Sequence, residues 1–436
     1  MWKIKGKQQI VKKITPIFII TFLACLIYYP ILDNQLLDFW DDQWVVMNHF
    51  TEGGINVQNL LQIFTQFYHG QYAPFNEYLY LSIYSGFGYN SVVFHLASLV
   101  LHLINSILVY LLIRKILFLS QRAEACEINY ISFFTSLIFC IHPLNVESVA
   151  WMSASKVLIY SLFYLISTYT FLLYVETKKR QYYILTLLLY ICSFLGKEQA
   201  VIFPIWMCIL FCLIDNSVSK KKVFIIVLPF FILSILLGII TIISQSVYIQ
   251  GFWLNNSIYT LEQRLVFSCY SYLEYLYKII FPFNLSYLYP FPMTIGSILP
   301  NWLLLYPLIL VTIVLTLWQF IRQWPVLLGL SLFTVYIALS LHIIPLSRFA
   351  IVADRYAYIS IIGISFIISF YTTKYYYKIR NKNKYIYYVF VISYLLYLGI
   401  YSHNRTNVWY DVDTLKSDIR ELLQERDKSK INKLYE

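Results

Sequence analysis

Hydrophobic positions in this chain come in long unbroken blocks, separated by short polar segments, without the period of a soluble helix or strand. The blocks lie near residues 14–32, 91–118, 128–142, 157–175, 182–195, 199–214, 223–243, 302–321, 325–345, 355–373 and 385–401. A helix needs roughly 20 residues to cross about 30 Å of hydrocarbon. The pattern therefore predicts an all-α polytopic membrane protein with about 11 transmembrane helices. A further apolar stretch, 265–281, carries Glu274 and Lys278, with Arg264 at its edge. It reads as an amphipathic helix lying against the membrane face.

Charge sets the expected orientation. The first block follows Lys3, Lys5, Lys7, Lys12 and Lys13 with no small-residue cleavage site behind it, as in a retained signal-anchor with a cytoplasmic N-terminus. The segment 33–90 has no Lys or Arg but holds Asp33, Asp38, Asp41, Asp42, Glu52 and Glu77, the mark of an external loop. Within it Val57, Leu60, Leu61, Phe64 and Phe67 fall on one helical face, predicting a helix in the interface. With 265–281 outside the bilayer, Lys220–Lys222 and the cluster Lys374, Lys378, Arg380, Lys382 and Lys384 fall on the cytoplasmic side. The C-terminus is then external, and 244–301 forms a second external region. The expected division is a transmembrane domain over 1–402 and a short external tail over 403–436. In the tail Leu415, Ile419, Leu422 and Leu423 mark one amphipathic helix.

Composition narrows the class. Of 436 residues, 59% are hydrophobic and 13% charged, whereas soluble domains carry about 25% charged residues. Lipid must solvate most of the chain. The net charge of +11 then reports membrane orientation, and no nucleic-acid partner is implied. Seven cysteines form no CxxC pair, so neither a disulfide framework nor a zinc site is supported.

Ionisable groups near membrane ends are costly to keep, and they are the place to seek chemistry. Four groups emerge on the expected external side. The first is Phe39-Trp40-Asp41-Asp42-Gln43-Trp44, where two adjacent carboxylates suit a general base with an orienting partner. The second is His142-Pro143-Leu144-Asn145-Val146-Glu147, a proline-ended helix with a histidine and a carboxylate. Gly196-Lys197-Glu198-Gln199 is the third, and it also reads as a turn with a local ion pair. The fourth is Asp354-Arg355-Tyr356, preceded by Arg348, in which the guanidinium either clamps an anionic phosphate or neutralises Asp354.

Taken in order, Asp41–Asp42, Tyr72-Ala73-Pro74-Phe75-Asn76, Gly88-Tyr89-Asn90-Ser91-Val92-Val93-Phe94-His95, HPLNVESVAWMSASK, GKEQAVIFP, FPFNLSYLYP, VADRYAYIS and NRTNVWYD resemble the tetratricopeptide-repeat transmembrane O-mannosyltransferases and their bacterial relatives. The likeness runs from about residue 28 to 420. It implies a GT-C-like fold in a membrane such as the bacterial inner membrane. It also implies transfer of a mannose-like hexose, with inversion, from a polyprenyl-phosphate carrier to a hydroxyl acceptor on protein, lipid or glycan. Family members usually continue into a repeat array; here one helix near 412–428 follows, which leaves the acceptor open.

On that resemblance Asp41 is the base, with Asp42 as orienter or as the true base. Arg355 takes the carrier phosphate, helped by Lys197 and by His142 or Arg405. Glu147, Glu198 and Asp354 position these cations or hold sugar hydroxyls. Sugar on a single phosphate already has a good leaving group, so no cofactor is required, although the acidic pair leaves room for a divalent cation. A transporter or flippase of lipid-linked sugar would show inverted repeats and mid-membrane charges, and neither is found. A noncatalytic scaffold would leave the carboxylates dispensable.

Overall fold

The computed structural model describes residues 2–215, 218–248, 259–343 and 350–435. In chain order the helices are α1 (Trp2–Tyr28), α2 (Asp42–Val45), α3 (His49–Glu52), α4 (Val57–Thr65), α5 (Pro74–Phe87), α6 (Ser91–Ser120), α7 (Ala125–Ile141), α8 (Val146–Ala150), α9 (Ser155–Thr177) and α10 (Arg180–Gly196). They continue as α11 (Phe203–Ile214), α12 (Lys220–Tyr248), α13 (Leu261–Ile280), α14 (Leu305–Thr316), α15 (Trp318–Ile321), α16 (Trp324–Ile337), α17 (Ser360–Lys378), α18 (Lys384–Thr406) and α19 (Val412–Tyr435). One antiparallel strand pair, β1 (Tyr289–Pro290) and β2 (Ala350–Val352), is the small exception, with Tyr289 opposite Val352.

The protein is an all-α polytopic membrane protein. Each of the eleven apolar blocks falls on a helix, although 344 and 345 of the ninth block, and 249–258 of the second external region, lie outside the described residues. Among the described residues, five helices are long and apolar enough to cross a membrane, or six if α7 and α8, bent by 52° at His142, count as one span. Several blocks give shorter helices for local reasons. The block from 199 begins as a 3-10 turn, Glu198–Ile202, so α11 starts only at Phe203, with Pro204 in its first turn.

Close helix contacts rest on two glycines. A Cβ added at Gly363 of α17 would fall on the Gly329 carbonyl of α16 and 2.8 Å from the Phe333 backbone nitrogen. Backbone cannot step aside as a side-chain tip can, and such small-residue contacts hold membrane helices together. Gly363→Ala should therefore lower stability by about 1–3 kcal/mol, read as an earlier thermal transition of the detergent-solubilised protein.

The first loop folds into short helices. Asn56 caps α4 by accepting from the Asn59 backbone nitrogen at 2.9 Å, and Asn48 caps α3 in the same way. On α4, Val57, Leu61 and Phe64 are exposed while Asn59 and Ile63 are buried, so an apolar face is left uncovered by protein. Phe67 was expected on that face. It lies beyond the end of α4 and packs edge-on against Tyr72, with ring centres 5.6 Å apart. Segment 265–281 is part of α13, which starts with a Thr260–Gln263 capping box and packs on β2 through Ser271 Oγ, bonded to the Ile351 carbonyl at 3.2 Å.

Helix α18 carries on to Thr406, and Trp409 and Leu415 are fully buried. Asn34 Nδ2 donates to the Thr406 carbonyl at 3.2 Å and Gln35 N to the Tyr410 carbonyl at 2.8 Å. Lys416 Nζ sits 3.6 Å from the centre of the Phe39 ring. Residues on both sides of the expected boundary thus pack on the first loop.

Candidate functional site

The sharp turn Phe39–Asp42 leads into α2 and sends its two carboxylates in different directions. Asp42 is buried. Its Oδ2 accepts from the Leu37 backbone nitrogen at 2.9 Å, and its Oδ1 accepts from the Ser153 backbone nitrogen at 2.9 Å and from Ser153 Oγ. Burial pushes the carboxyl up to about 6, against the pull of the Ser153 and Leu37 hydrogen bonds. Accepting a substrate proton would forfeit a charge-assisted bond worth about 1.5–3 kcal/mol. Asp42 is a clamp that ties the first loop to the segment before α9. Asp41 is half-buried, and among the described residues its side chain accepts only the indole N–H of Trp44, at 3.3 Å. Of the pair, Asp41 is the carboxylate left free to act.

The charged partners cross over relative to their order in the chain. Arg355 pairs with Glu147 rather than with adjacent Asp354: its Nη1 meets Glu147 Oε1, and its backbone nitrogen donates to Glu147 Oε2 at 3.0 Å. Glu147 is 1% exposed and the Arg355 side chain 19%, so the carboxylate is sealed while the guanidinium keeps an open side. That side is walled by aromatic rings, with Trp151, Tyr287 and Tyr356 centred 5.2, 5.8 and 5.0 Å from the guanidinium carbon. Trp409 stacks on Trp151 at 5.7 Å, and Trp40 meets Tyr287 edge-on at 5.2 Å. Tyr287 is within electrostatic reach of Arg355, Asp41 and Glu147 together. Asp41 and Arg355 therefore belong to one charged and aromatic cluster around Tyr287.

Lys197 completes the cationic side. The close approach of Gly196 to Tyr160, where an added Cβ would lie 2.9 Å from the Tyr160 nitrogen, ends α10 against α9 and fixes the next residue. Lys197 Nζ is buried 5.1 Å from the centre of the Tyr356 ring, the ring that Arg355 also touches. Burial pulls its ammonium down to about 8; Glu198 and Tyr356 oppose the shift, and nearby Lys156 and Arg355 add to it. Glu198 itself is exposed. If Lys197 helps hold an anion, that binding should weaken as pH rises through about 8, because the protonated form is the one that binds. Lys197→Arg should remove the weakening. Anion affinity measured from pH 6 to 9.5 checks this.

Three sequence candidates are placed elsewhere. His142 is fully buried: its Nδ1 accepts from the Leu144 backbone nitrogen at 3.2 Å and its Nε2 faces the Ile279 carbonyl at 2.9 Å. With both ring nitrogens engaged it joins α7 to α13 and has none left for a phosphate. Asp354 is sealed, accepting from Tyr289 at 2.9 Å, and burial pushes its carboxyl up to about 7. Its partner is Arg405, with Nη2 3.7 Å from Asp354 Oδ2 and Nη1 donating to the Leu285 carbonyl at 2.7 Å. At 4% exposure, Arg405 is a buried brace between α18 and the β1–β2 region. Arg348 lies outside the described residues.

Lys156, Tyr287, Tyr356 and Trp409 also belong to the site and were not singled out for roles, although each lies in a motif quoted for the resemblance. Runs dense in tyrosine and tryptophan at membrane ends were the signal, and an interfacial belt explains such runs equally well. Among the described residues no three His, Cys, Asp or Glu side chains converge. The Asp41–Asp42 pair offers a cation one free carboxylate, since the other is consumed by Leu37 and Ser153.

Fold and site together define a multi-pass membrane protein with a cluster of aromatic rings that gathers a carboxylate and two cations. Over 334 residues the chain is 25% identical to the protein O-mannosyl-transferase F38B6.6 of Caenorhabditis elegans, an alignment covering 72% of this chain and 44% of that protein. This supports an O-mannosyltransferase-like relationship, and the chain spans less than half the length of that relative. No protein-family profile matches the chain, and no solved structure matches it.

Proposed function

We propose that this protein is a glycosyltransferase that moves a mannose-like hexose from a polyprenyl-phosphate carrier to a hydroxyl acceptor, with inversion, on the non-cytoplasmic face. The observation that carries the reading is the cluster around Tyr287 and Tyr356: Arg355, paired with Glu147, touches both rings, Lys197 lies over Tyr356, and Asp41 is within electrostatic reach of Tyr287. Asp41 takes the proton of the acceptor hydroxyl. The freed oxygen bonds to the anomeric carbon from one face as the bond to the carrier phosphate breaks on the other, and the phosphate leaves with the electron pair. Arg355 and Lys197 face that developing charge beside the aromatic rings, where partly desolvated fixed charges act more strongly than in water. Glu147 aims Arg355 by holding both its backbone nitrogen and its side chain. No residue of this scheme requires a cofactor. Eleven crossings would put this cluster and the first loop outside.

Two measurements test the reading. Purified protein in lipid should transfer labelled hexose from a polyprenyl-phosphate donor to a hydroxyl acceptor; absence of transfer across a panel of donor sugars and acceptor classes would sink it. In a cysteine-free background, Gln58→Cys in exposed α4 should react with an impermeant thiol reagent in intact cells. Arg380→Cys, after α17, should react only once the membrane is opened. The reverse pattern would put the cluster on the cytoplasmic side.

A further inference from the structure

Between α13 and α14 runs an open groove of about 350 Å³, with Leu276, Ile280 and Phe281 on one side and Tyr306, Ile309 and Ile313 on the other. Its lining is apolar except for Glu274, whose carboxylate lies 3.9 Å from Lys278 Nζ one turn on. Helix α14 comes from an apolar block and buries none of its residues, so it stands off the bundle alongside α13. The groove reaches into the depth of the membrane. Tyr394 Oη donates to the Ile280 carbonyl at 3.4 Å, and Tyr397 Oη to the Pro282 carbonyl at 2.9 Å. Tyr397 sits about 14 Å along the helix axis from the end of α18 at Thr406, and α18 is one of the helices long and apolar enough to cross a membrane. The groove therefore opens onto hydrocarbon.

In that setting the occupant is a hydrocarbon chain, and the volume lies in the range of roughly 300–1,000 Å³ that holds one ligand. Continuity with the charged cluster favours a particular chain. Phe281 closes the groove, and the backbone from Phe281 reaches Tyr287, the ring on which Arg355 lies, within at most about 22 Å. Across α13, Lys278 Nζ is 4.5 Å from the centre of the Tyr289 ring, and Tyr289 donates to Asp354, next to Arg355. A donor whose phosphate meets Arg355 must lead its chain back into lipid, and the groove opens within that reach. Only the chain fits there, because the lining offers a phosphate a carboxylate and no cation. Bilayer acyl chains compete for the space. A branched isoprenoid, stiffened by its double bonds, loses less freedom than a saturated chain when laid in a fixed groove.

We propose that the α13–α14 groove holds the isoprenoid chain of the sugar carrier and makes the protein selective for carriers long enough to lie along it. The proposal rests on the glycosyltransferase reading for the identity of the carrier.

The test is binding of the sugar-free carrier, read without turnover. A long-chain polyprenyl phosphate with a photoreactive group in mid-chain, added to purified protein in nanodiscs, should label peptides of α13 and α14, and unlabelled polyprenyl phosphate should compete. Ile309→Trp and Ile313→Trp fill the groove from a helix that buries none of its residues, so both should fold, and unchanged melting checks this. Each should weaken long-chain binding about three- to tenfold, a loss of packing alone, since lipid already solvates the chain. Binding of geranyl phosphate, whose chain is too short to lie along the groove, should not change. Labelling elsewhere, equal labelling by a phospholipid carrying the same photoreactive group, or equal loss at both chain lengths overturns the proposal. So does disulfide crosslinking of two Ile309→Cys chains in the cysteine-free background, which would seat a second copy there. Groove-dependent binding without any sugar transfer would uphold the groove and sink the transferase reading; transfer indifferent to chain length and to both variants would do the reverse.

Discussion

Asp41→Asn should lower sugar transfer by about 10²–10⁴-fold, the contribution of a positioned general base, while donor affinity stays within about twofold. Asparagine keeps the shape and can still accept from the Trp44 indole through its carbonyl oxygen, so the loop should hold its place. Asp42→Asn should behave differently. Its carboxylate meets backbone donors on both oxygens, and an amide must turn an N–H toward one of them. That leaves a buried donor unmet, at about 1–3 kcal/mol. Reduced thermal stability should therefore accompany whatever activity Asp42→Asn loses. If Asp41→Asn is silent and Asp42→Asn stops transfer at unchanged stability, the two roles are exchanged. If both leave transfer intact, this cluster is not where the chemistry occurs.

The second large effect is expected at the Arg355–Glu147 pair. Arg355→Ala removes the cation and leaves a sealed carboxylate without its partner, at about 3–5 kcal/mol. It should also weaken donor binding by tenfold or more, since a charge-assisted phosphate contact is lost. A second substitution separates the two effects. Combined with Glu147→Gln, Arg355→Ala should regain much of the stability, because no buried charge remains, but none of the donor affinity. Melting of the solubilised protein and equilibrium binding of the donor read the two quantities independently. Recovery of affinity in the double variant would mean that Arg355 serves the fold alone.

What could be read from the sequence follows from the range of the forces involved. Apolar blocks are local, so the positions of α6, α9, α12 and α18 were legible from hydropathy alone, and so was the amphipathic character of α4 and α13. Caps such as Asn56 are local too. Ion pairing is not. Asp42 meets Ser153 across 111 positions and Glu147 meets Arg355 across 208. Reading Arg355 against adjacent Asp354 was the natural guess. The fold instead pairs Asp354 with Arg405, because Asp354 sits at a buried turn while Arg355 points toward the rings. The same limit explains His142, which looked available at a helix end and is consumed by the Ile279 carbonyl of α13. The separation of Asp41 from Asp42 was invisible for a related reason: adjacent carboxylates look alike until one of them is seen to be bound.

The stack of Trp409 on Trp151 bears on the order of events during synthesis. The ring stack draws on Trp40 near residue 40, on Trp151 and Tyr287, and on Trp409 just after α18. A ribosome would have to deliver the chain through Trp409 before that stack could close. Until then an emerging chain would hold its carboxylate and its cations around an open gap, where water reaches both and neither is aligned. Competence would thus wait for α18, and a chain stalled before α18 is inserted would be inert rather than a source of misdirected chemistry.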